Sequence, residues 1–179
     1  MEITKSIVVY NKNDLNEHKK RILTNLNIAK DMLQQVLNSN DSLDFFRIVK
    51  FEKTVIDPFT GDRENLIEVI NQCHTYMVSI KAAEHLFSIH PNHVFTINFG
   101  NVAGYDIESE DGTIIAECFA ATSYRSNNKL VKDLKRLHDN KTATYKYEFF
   151  YDLDFTHNSK MYYESKYSDI MIIKFDNIK

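Results

Sequence analysis

Two acids stand out by the company they keep. Asp106 opens the run Asp106-Ile107-Glu108, and Glu117 lies inside Ile114-Ile115-Ala116-Glu117-Cys118-Phe119-Ala120. Between them, Ser109-Glu110-Asp111-Gly112 carries an Asp-Gly pair, a strong hairpin-turn signal. A strand, a tight turn and a second strand are therefore expected over residues 104–120, with Tyr105, Ile107, Ile114 and Cys118 as apolar positions. Two antiparallel strands joined this closely bring Asp106 and Glu117 side by side. A carboxylate within an apolar strand is costly unless something pairs with it. A divalent cation would do so, because hard cations take carboxylate oxygens as ligands. The competing reading is a solvent-facing Asp beside a turn and a Glu at a strand edge.

Charge is distributed unevenly around this hairpin. The 179-residue chain has a formal net charge of −3. Residues 106–117 contain Asp106, Glu108, Glu110, Asp111 and Glu117 with no base. Residues 125–146 contain Arg125, Lys129, Lys132, Lys135, Arg136, Lys141 and Lys146 against Asp133 and Asp139. An acidic centre beside a basic helix suits a metal site approached by phosphate. Two oppositely charged solvated patches would look the same.

The elements that must position these residues can be read from periodicity. Residues 3–10 read as a short strand. Asn13 or Asp14 then caps a long helix to about Asn38, with Leu15, Ile22, Leu26, Ala29, Leu33, Val36 and Leu37 on a heptad-like seam. That seam fits a helix packed on its own domain, or a homodimer interface over residues 15–37. Residues 45–56 are rich in aromatic and β-branched types and read as a strand, with a helix as the alternative. Asp57-Pro58-Phe59-Thr60-Gly61-Asp62 is a break, with Asp62 as a cap for the next helix, Arg63 to Ile89. Residues 93–99 alternate, with Phe95, Ile97 and Phe99 on one face. Ser126 or Asn127 is expected to cap a helix to about Asn140, burying Leu130, Val131, Leu134 and Leu137. Residues 142–151 and 168–175 read as further strands.

The Gly104-Tyr105-Asp106-Ile107 and Ile114-Ile115-Ala116-Glu117 runs resemble the Asp…(Asp/Glu)-x-Lys site of the PD-(D/E)XK nuclease superfamily. The order from residue 63 onward (helix, three strands, helix, strand, strand) resembles that family's αβββαβ core. The resemblance covers residues 63–151. It implies an α/β (α+β), restriction-endonuclease-like fold, with a mixed central sheet flanked by helices. Residues 1–60 would add a strand and a long helix, and residues 152–179 a further strand, within a single domain. It further implies that Asp106 and Glu117 hold Mg²⁺ (or Mn²⁺), with an extra acid from the preceding helix, Glu68 or Glu84. Two positions after Glu117, where the family carries lysine, stands Phe119. Lys129 or Lys132, on the helix after the second strand, would then supply the ammonium. Otherwise the site works without it, or the fold only binds. Arg125, Lys129, Lys132, Lys135 and Arg136 would contact the DNA backbone.

Other chemistries find little support. Seven histidines include the cluster His85, His90 and His93, but its spacing spans a helix end and a proline, without a cysteine pair for zinc. Four glycines and no glycine-rich phosphate loop argue against a nucleotide cofactor. Ser123 lacks the Gly-x-Ser-x-Gly context of a hydrolase elbow. Cys73 and Cys118 lie in apolar segments and read as core thiols in a reducing compartment. No apolar run is long enough for a membrane span, and no signal-peptide pattern is seen, so a cytoplasmic protein is expected. Three functions follow: a restriction-type, metal-dependent DNA endonuclease; a catalytically inactive member of that fold serving as a nucleic-acid-binding or assembly subunit; or a helical dimerisation protein with no nucleic-acid role.

Overall fold

A computed structural model describes residues 5–39, 41–100 and 102–178. Within them the chain forms five helices and a mixed six-stranded sheet packed between helical layers. Strand β1 is Ser6–Val9, followed by helices α1 (Lys12–Ser39) and α2 (Ser42–Phe51). A two-residue ladder, β2 (Val55–Ile56) with β3 (Arg63–Glu64), leads into α3 (Leu66–Ile89). Then come β4 (Phe95–Asn98), β5 (Ile107–Ser109), β6 (Ile114–Ala120), a 3-10 turn (Ser126–Asn128), α4 (Lys129–Asp139), β7 (Tyr145–Tyr151), α5 (His157–Lys166) and β8 (Met171–Lys174).

The main sheet runs β1-β4-β5-β6-β7-β8. Its first three pairings are antiparallel and its last two, β6 with β7 and β7 with β8, are parallel. Period-two alternation sorts the side chains onto two faces. Phe95, Ile97, Ile107, Ala116, Cys118, Tyr147 and Phe149 pack toward α3, which buries Val69, Cys73, Tyr76 and Ile80. Ile115, Phe119, Phe150 and Ile172 face the other way, against Leu130, Leu134 and Leu137 of α4 and the Phe155–Tyr167 segment. Both cysteines are buried free thiols, as their surroundings suggested. No helix among the described residues is long and apolar enough to cross a membrane.

Helix α1 lies along α3, and its seam residues Leu15, Ile22 and Ala29 are buried within the chain. Leu37 stays on the surface. Residues 45–51, expected as a strand, belong to α2. Asp41 caps it by accepting the N–H groups of Leu43 and Asp44, and Phe45, Ile48 and Val49 sit at helical spacing toward the core. Asp62 is not the cap of α3. That cap is Asn65, whose side chain accepts the Glu68 N–H. Neither Ser126 nor Asn127 caps α4 with its side chain; Asn127 and Asn128 instead turn the chain at φ 53° and 54°. Val131 is exposed rather than buried, and Asp133 takes its expected place on the inner face. Helix α5 falls in a segment whose pattern gave no helix signal.

The 57–62 turn is tied to the sheet through a buried carboxylate. Asp57 accepts the N–H groups of Phe59 and Thr60, the Lys5 ammonium at 2.9 Å and the Tyr76 hydroxyl at 3.0 Å. Burial works to raise its pKa, and these donors outweigh burial, so the group titrates below its usual range. Asp57→Ala is expected to destabilise the fold by about 2–4 kcal/mol in urea unfolding at neutral pH. Because the folded pKa is the lower one, the loss should be full above the ordinary aspartate value of 3.8 and fade as pH falls below it. By contrast, Arg47→Ala removes only exposed ion pairs to Asp44 and Glu52 and should leave the unfolding midpoint in urea essentially unchanged.

Candidate active site

The site forms where two strands part. β5 and β6 are paired only as far as Ile107 and Ala116. Beyond that point Asp106 replaces the strand: its carbonyl accepts the Asn98 N–H at 2.8 Å, and its side chain accepts the Cys118 N–H at 2.7 Å. A residue's N–H and C=O leave an extended strand on the same edge, so the Cys118 carbonyl faces the same gap. Further along, the Ala120 N–H reaches only the Thr75 hydroxyl, at 3.4 Å. Gly104 holds φ at 110°, and a Cβ there would come within 3.2 Å of the Asn98 amide, which donates to the Tyr105 carbonyl. Glycine at this position lets the chain return to the sheet with Asp106 facing the gap.

Glu117 is 1% exposed and points toward α4, on the face of Ile115 and Phe119. Two cations of α4 approach it. Arg136 donates to Glu117 Oε1 at 2.6 Å and to the Gly104 carbonyl, with its guanidinium 4.6 Å above the Tyr105 ring. Lys129, in the first turn, lies 2.8 Å from the carboxylate of Asp133, one turn on. The charge of Lys129 also acts on Asp106 and Glu117. Lys132 points to solvent.

Two further acids complete the cluster, and neither was singled out from sequence. Asp133 is 5% exposed. Glu148 is 0% exposed, stands in register with Glu117 on the neighbouring parallel strand, and has no hydrogen-bond partner for either oxygen among the described residues. Four carboxyl groups thus share two cations. The consequence is a set of raised pKa values. Burial, then the charges of Asp106 and Asp133, push Glu117 up to about 8, against the pull of Arg136 and Lys129. Burial raises Asp106 despite Lys129, the Cys118 N–H and a hydrogen bond with Glu117. Asp133 rises to about 6 through burial, partly offset by Lys129. Glu148 lies well above the usual range, from burial first and then Asp133 and Glu117. Burial opposes the charge of Lys129, but Asp133, Asp106 and Glu117 together raise its pKa, so its ammonium persists through neutral pH.

The other sequence candidates are scattered. Phe119 is buried, with its ring stacked 5.0 Å from Phe150 beneath α4. Glu68 binds the Asn65 amide at the start of α3, and Glu84 pairs with Lys19 of α1 at 3.5 Å. Arg125 is exposed with its guanidinium over Tyr124, and Lys135 pairs with Asp139. Lys146, counted in the basic segment, is buried against Asp169 at 2.7 Å and the Asn140 carbonyl. His90 bonds the Tyr147 hydroxyl, and His93 sits 3.6 Å from Asp111. Among the described residues, no three His, Cys, Asp or Glu side chains are placed to hold a metal ion by themselves.

A cavity of about 420 Å³ opens onto the gap. Asp106 and Lys129 stand on its wall, with Phe99, Thr75, Gln72 and Asn71 among the residues around it. Comparison with protein-family models, curated proteins and solved structures gives no significant match for this chain.

The Glu117 pKa has a measurable consequence. An unshifted glutamate titrates near 4.5 and the folded chain's Glu117 near 8. Between those values the native state holds the extra proton, so Glu117 makes stability fall as pH rises. Glu117→Gln is therefore expected to gain stability relative to the cation-free wild type as pH increases from about 4.5 to about 8. Urea unfolding across that range checks it, and a constant difference would contradict the assigned pKa.

Proposed function

We propose that this protein is a restriction-type, divalent-metal-dependent endonuclease of the PD-(D/E)XK kind, hydrolysing DNA phosphodiester bonds. The observation that carries the reading is the meeting of Asp106 and Glu117 at the parting of β5 and β6, with the Lys129 ammonium in their field. The succession α3-β4-β5-β6-α4-β7, antiparallel through β6 and then parallel, is in keeping with the αβββαβ core of that superfamily.

The donor set fits Mg²⁺ or Mn²⁺. Asp106 and Glu117 would together carry more buried negative charge than their protein partners neutralise, which is why their pKa values are raised. The Cys118 carbonyl faces the same gap. Mg²⁺ is commonly held by one or two carboxylates together with water and substrate phosphate, so a two-carboxylate site suits it. Bound there, the cation would polarise the phosphate and lower the pKa of a coordinated water.

The remaining roles belong to the chain. The raised pKa of Lys129 makes it a poor base. It acts as a fixed positive charge that orients the attacking water and stabilises negative charge building on the phosphoryl oxygens. Asp133 holds that ammonium on the first turn of α4. Phe119 occupies the family's lysine position because the face below α4 is apolar there, and α4 supplies the cation instead. Arg125 and Lys132, both exposed, contact the phosphate backbone. The binding-only alternative rests on the Arg136–Glu117 ion pair, in which a guanidinium takes the place a metal would hold.

Plasmid nicking in Mg²⁺ or Mn²⁺ separates these readings. Wild type is expected to nick, and the Asp106→Ala, Glu117→Ala double variant to be inert. Lys129→Ala should lose about a hundredfold or more, the scale of removing one preorganised charge donor, while Lys132→Ala should stay within about threefold as a backbone contact. A folded wild type without metal-dependent nicking would remove the catalytic reading.

A further inference from the structure

The cavity beside Asp106 and Lys129 is chemically lopsided. Its charges lie at that one end. The rest of the lining is neutral: the amides of Asn71, Gln72 and Asn127, the Thr75 hydroxyl and the edge of Phe99. One end of the Gln72 amide lies 3.2 Å from the Tyr76 hydroxyl, whose proton goes to Asp57, and the other end has no partner among the described residues. The Asn71 amide has no protein partner there either. Neutral donors and acceptors set among apolar atoms suit a flat, uncharged ring with polar edges. A phosphate would call for cations where the amides stand.

A second cavity, about 240 Å³, shares Asn71, Ala120 and Ala121 with the first. Ile70, His74, Tyr151 and Leu153 line it. His74 is held by its Nδ1 contact to the Ile70 carbonyl at 2.6 Å, and Leu153 is 69% exposed. Its rings and apolar atoms make it a shelf on which a base can stack. The two cavities adjoin at Asn71, Ala120 and Ala121, which line both, and only the first reaches Asp106 and Lys129; together they make a track along the surface.

We propose that this track binds unpaired nucleic acid, seating one nucleobase against Asn71 and Gln72 and the adjoining base on the His74–Leu153 shelf. The inference rests on the nuclease reading for the phosphodiester that Asp106 and Glu117 would face. It specifies the preferred substrate as a single-stranded, flapped or base-extruded region, of the kind a supercoiled plasmid exposes transiently, over a fully paired stretch. Bases held in a helical stack could not reach amides on the walls of a cavity, whereas a strand without a partner can turn its bases into it.

The test separates binding from cleavage. Fluorescence anisotropy in EDTA would measure the affinity of the full chain for one labelled DNA oligonucleotide, first single-stranded and then annealed to its complement. Wild type is expected to prefer the single strand by about tenfold or more, on the scale of one stacked base. Asn71→Ala with Gln72→Ala, and separately His74→Ala, should each cut single-strand affinity by about fivefold or more and leave duplex affinity unchanged. Asn71 and His74 are exposed, and circular dichroism would verify that the variants fold. Equal affinity for the two DNA forms, or variants that keep the preference, would overturn the proposal. Preference for single strands without metal-dependent nicking would uphold the track and sink the nuclease reading. Nicking with no such preference would do the reverse.

Discussion

Carboxylates buried next to one another need a counter-charge, and at the centre of this fold they have too little of it. Asp106, Glu117, Asp133 and Glu148 gather between the sheet and α4, where among the described residues Lys129 and Arg136 are the cations that answer them. Each cation is committed: Lys129 to Asp133 and Arg136 to Glu117 and the Gly104 carbonyl. The remaining imbalance shows in the raised pKa values of Asp106 and Glu117, which burial and their mutual repulsion favour in the neutral form. A fold that only needed stability would fare better with apolar residues at such positions. The retained excess of negative charge is what a bound cation would relieve, and the β5–β6 gap, the αL turn before α4 and the position of Lys129 all serve that one place.

The architecture explains why these groups meet there. β5 is three residues long, so β6 extends past it with an unpaired edge. The side chain of Asp106 takes over the Cys118 N–H, which anchors the carboxylate at the point of divergence. Parallel pairing of β6 with β7 then sets Glu148 beside Glu117. Helix α4 closes the other side with a stripe in which Leu130, Leu134 and Leu137 seat it and Lys129, Asp133 and Arg136 line its inner margin. The two faces of the sheet divide the labour. The α3 face is apolar and carries the larger core. The α4 face admits buried charge, at Glu117 and Glu148 between Ile115 and Phe119 and at Lys146 beside them.

Much of this was legible from pattern. The Asp-Gly turn announced the hairpin, alternation over residues 93–99 gave β4, and an acid inside an apolar strand marked Glu117. That same signal was present in Tyr145-Lys146-Tyr147-Glu148-Phe149 and went unused, because a strand dense in aromatics reads first as core. Asp133 was hidden by its place among leucines, where Val131 seemed the natural inward residue. The face of α4 is fixed by the lysine and arginine it must carry over Glu117, a tertiary demand that helical periodicity alone does not contain. Residues 45–51 misled through composition: phenylalanine and β-branched residues favour strands, but the Asp41 cap and the i, i+3, i+4 placement of Phe45, Ile48 and Val49 decided for a helix. Asp62 was a sound cap by type, but the two-residue β2–β3 ladder moved the helix start past it to Asn65.

Calorimetric titration of Mn²⁺ into the wild type and the Asp106→Ala, Glu117→Ala variant, in buffers of different ionisation enthalpy, tests the central claim most directly. If the raised Glu117 pKa marks a cation site, wild type at neutral pH binds Mn²⁺ and releases about one proton per ion, as ligand deprotonation requires. The double variant then shows neither the binding nor the release. Binding that the double variant retains, or a wild type that takes up no metal, would mean that these carboxylates serve the fold alone.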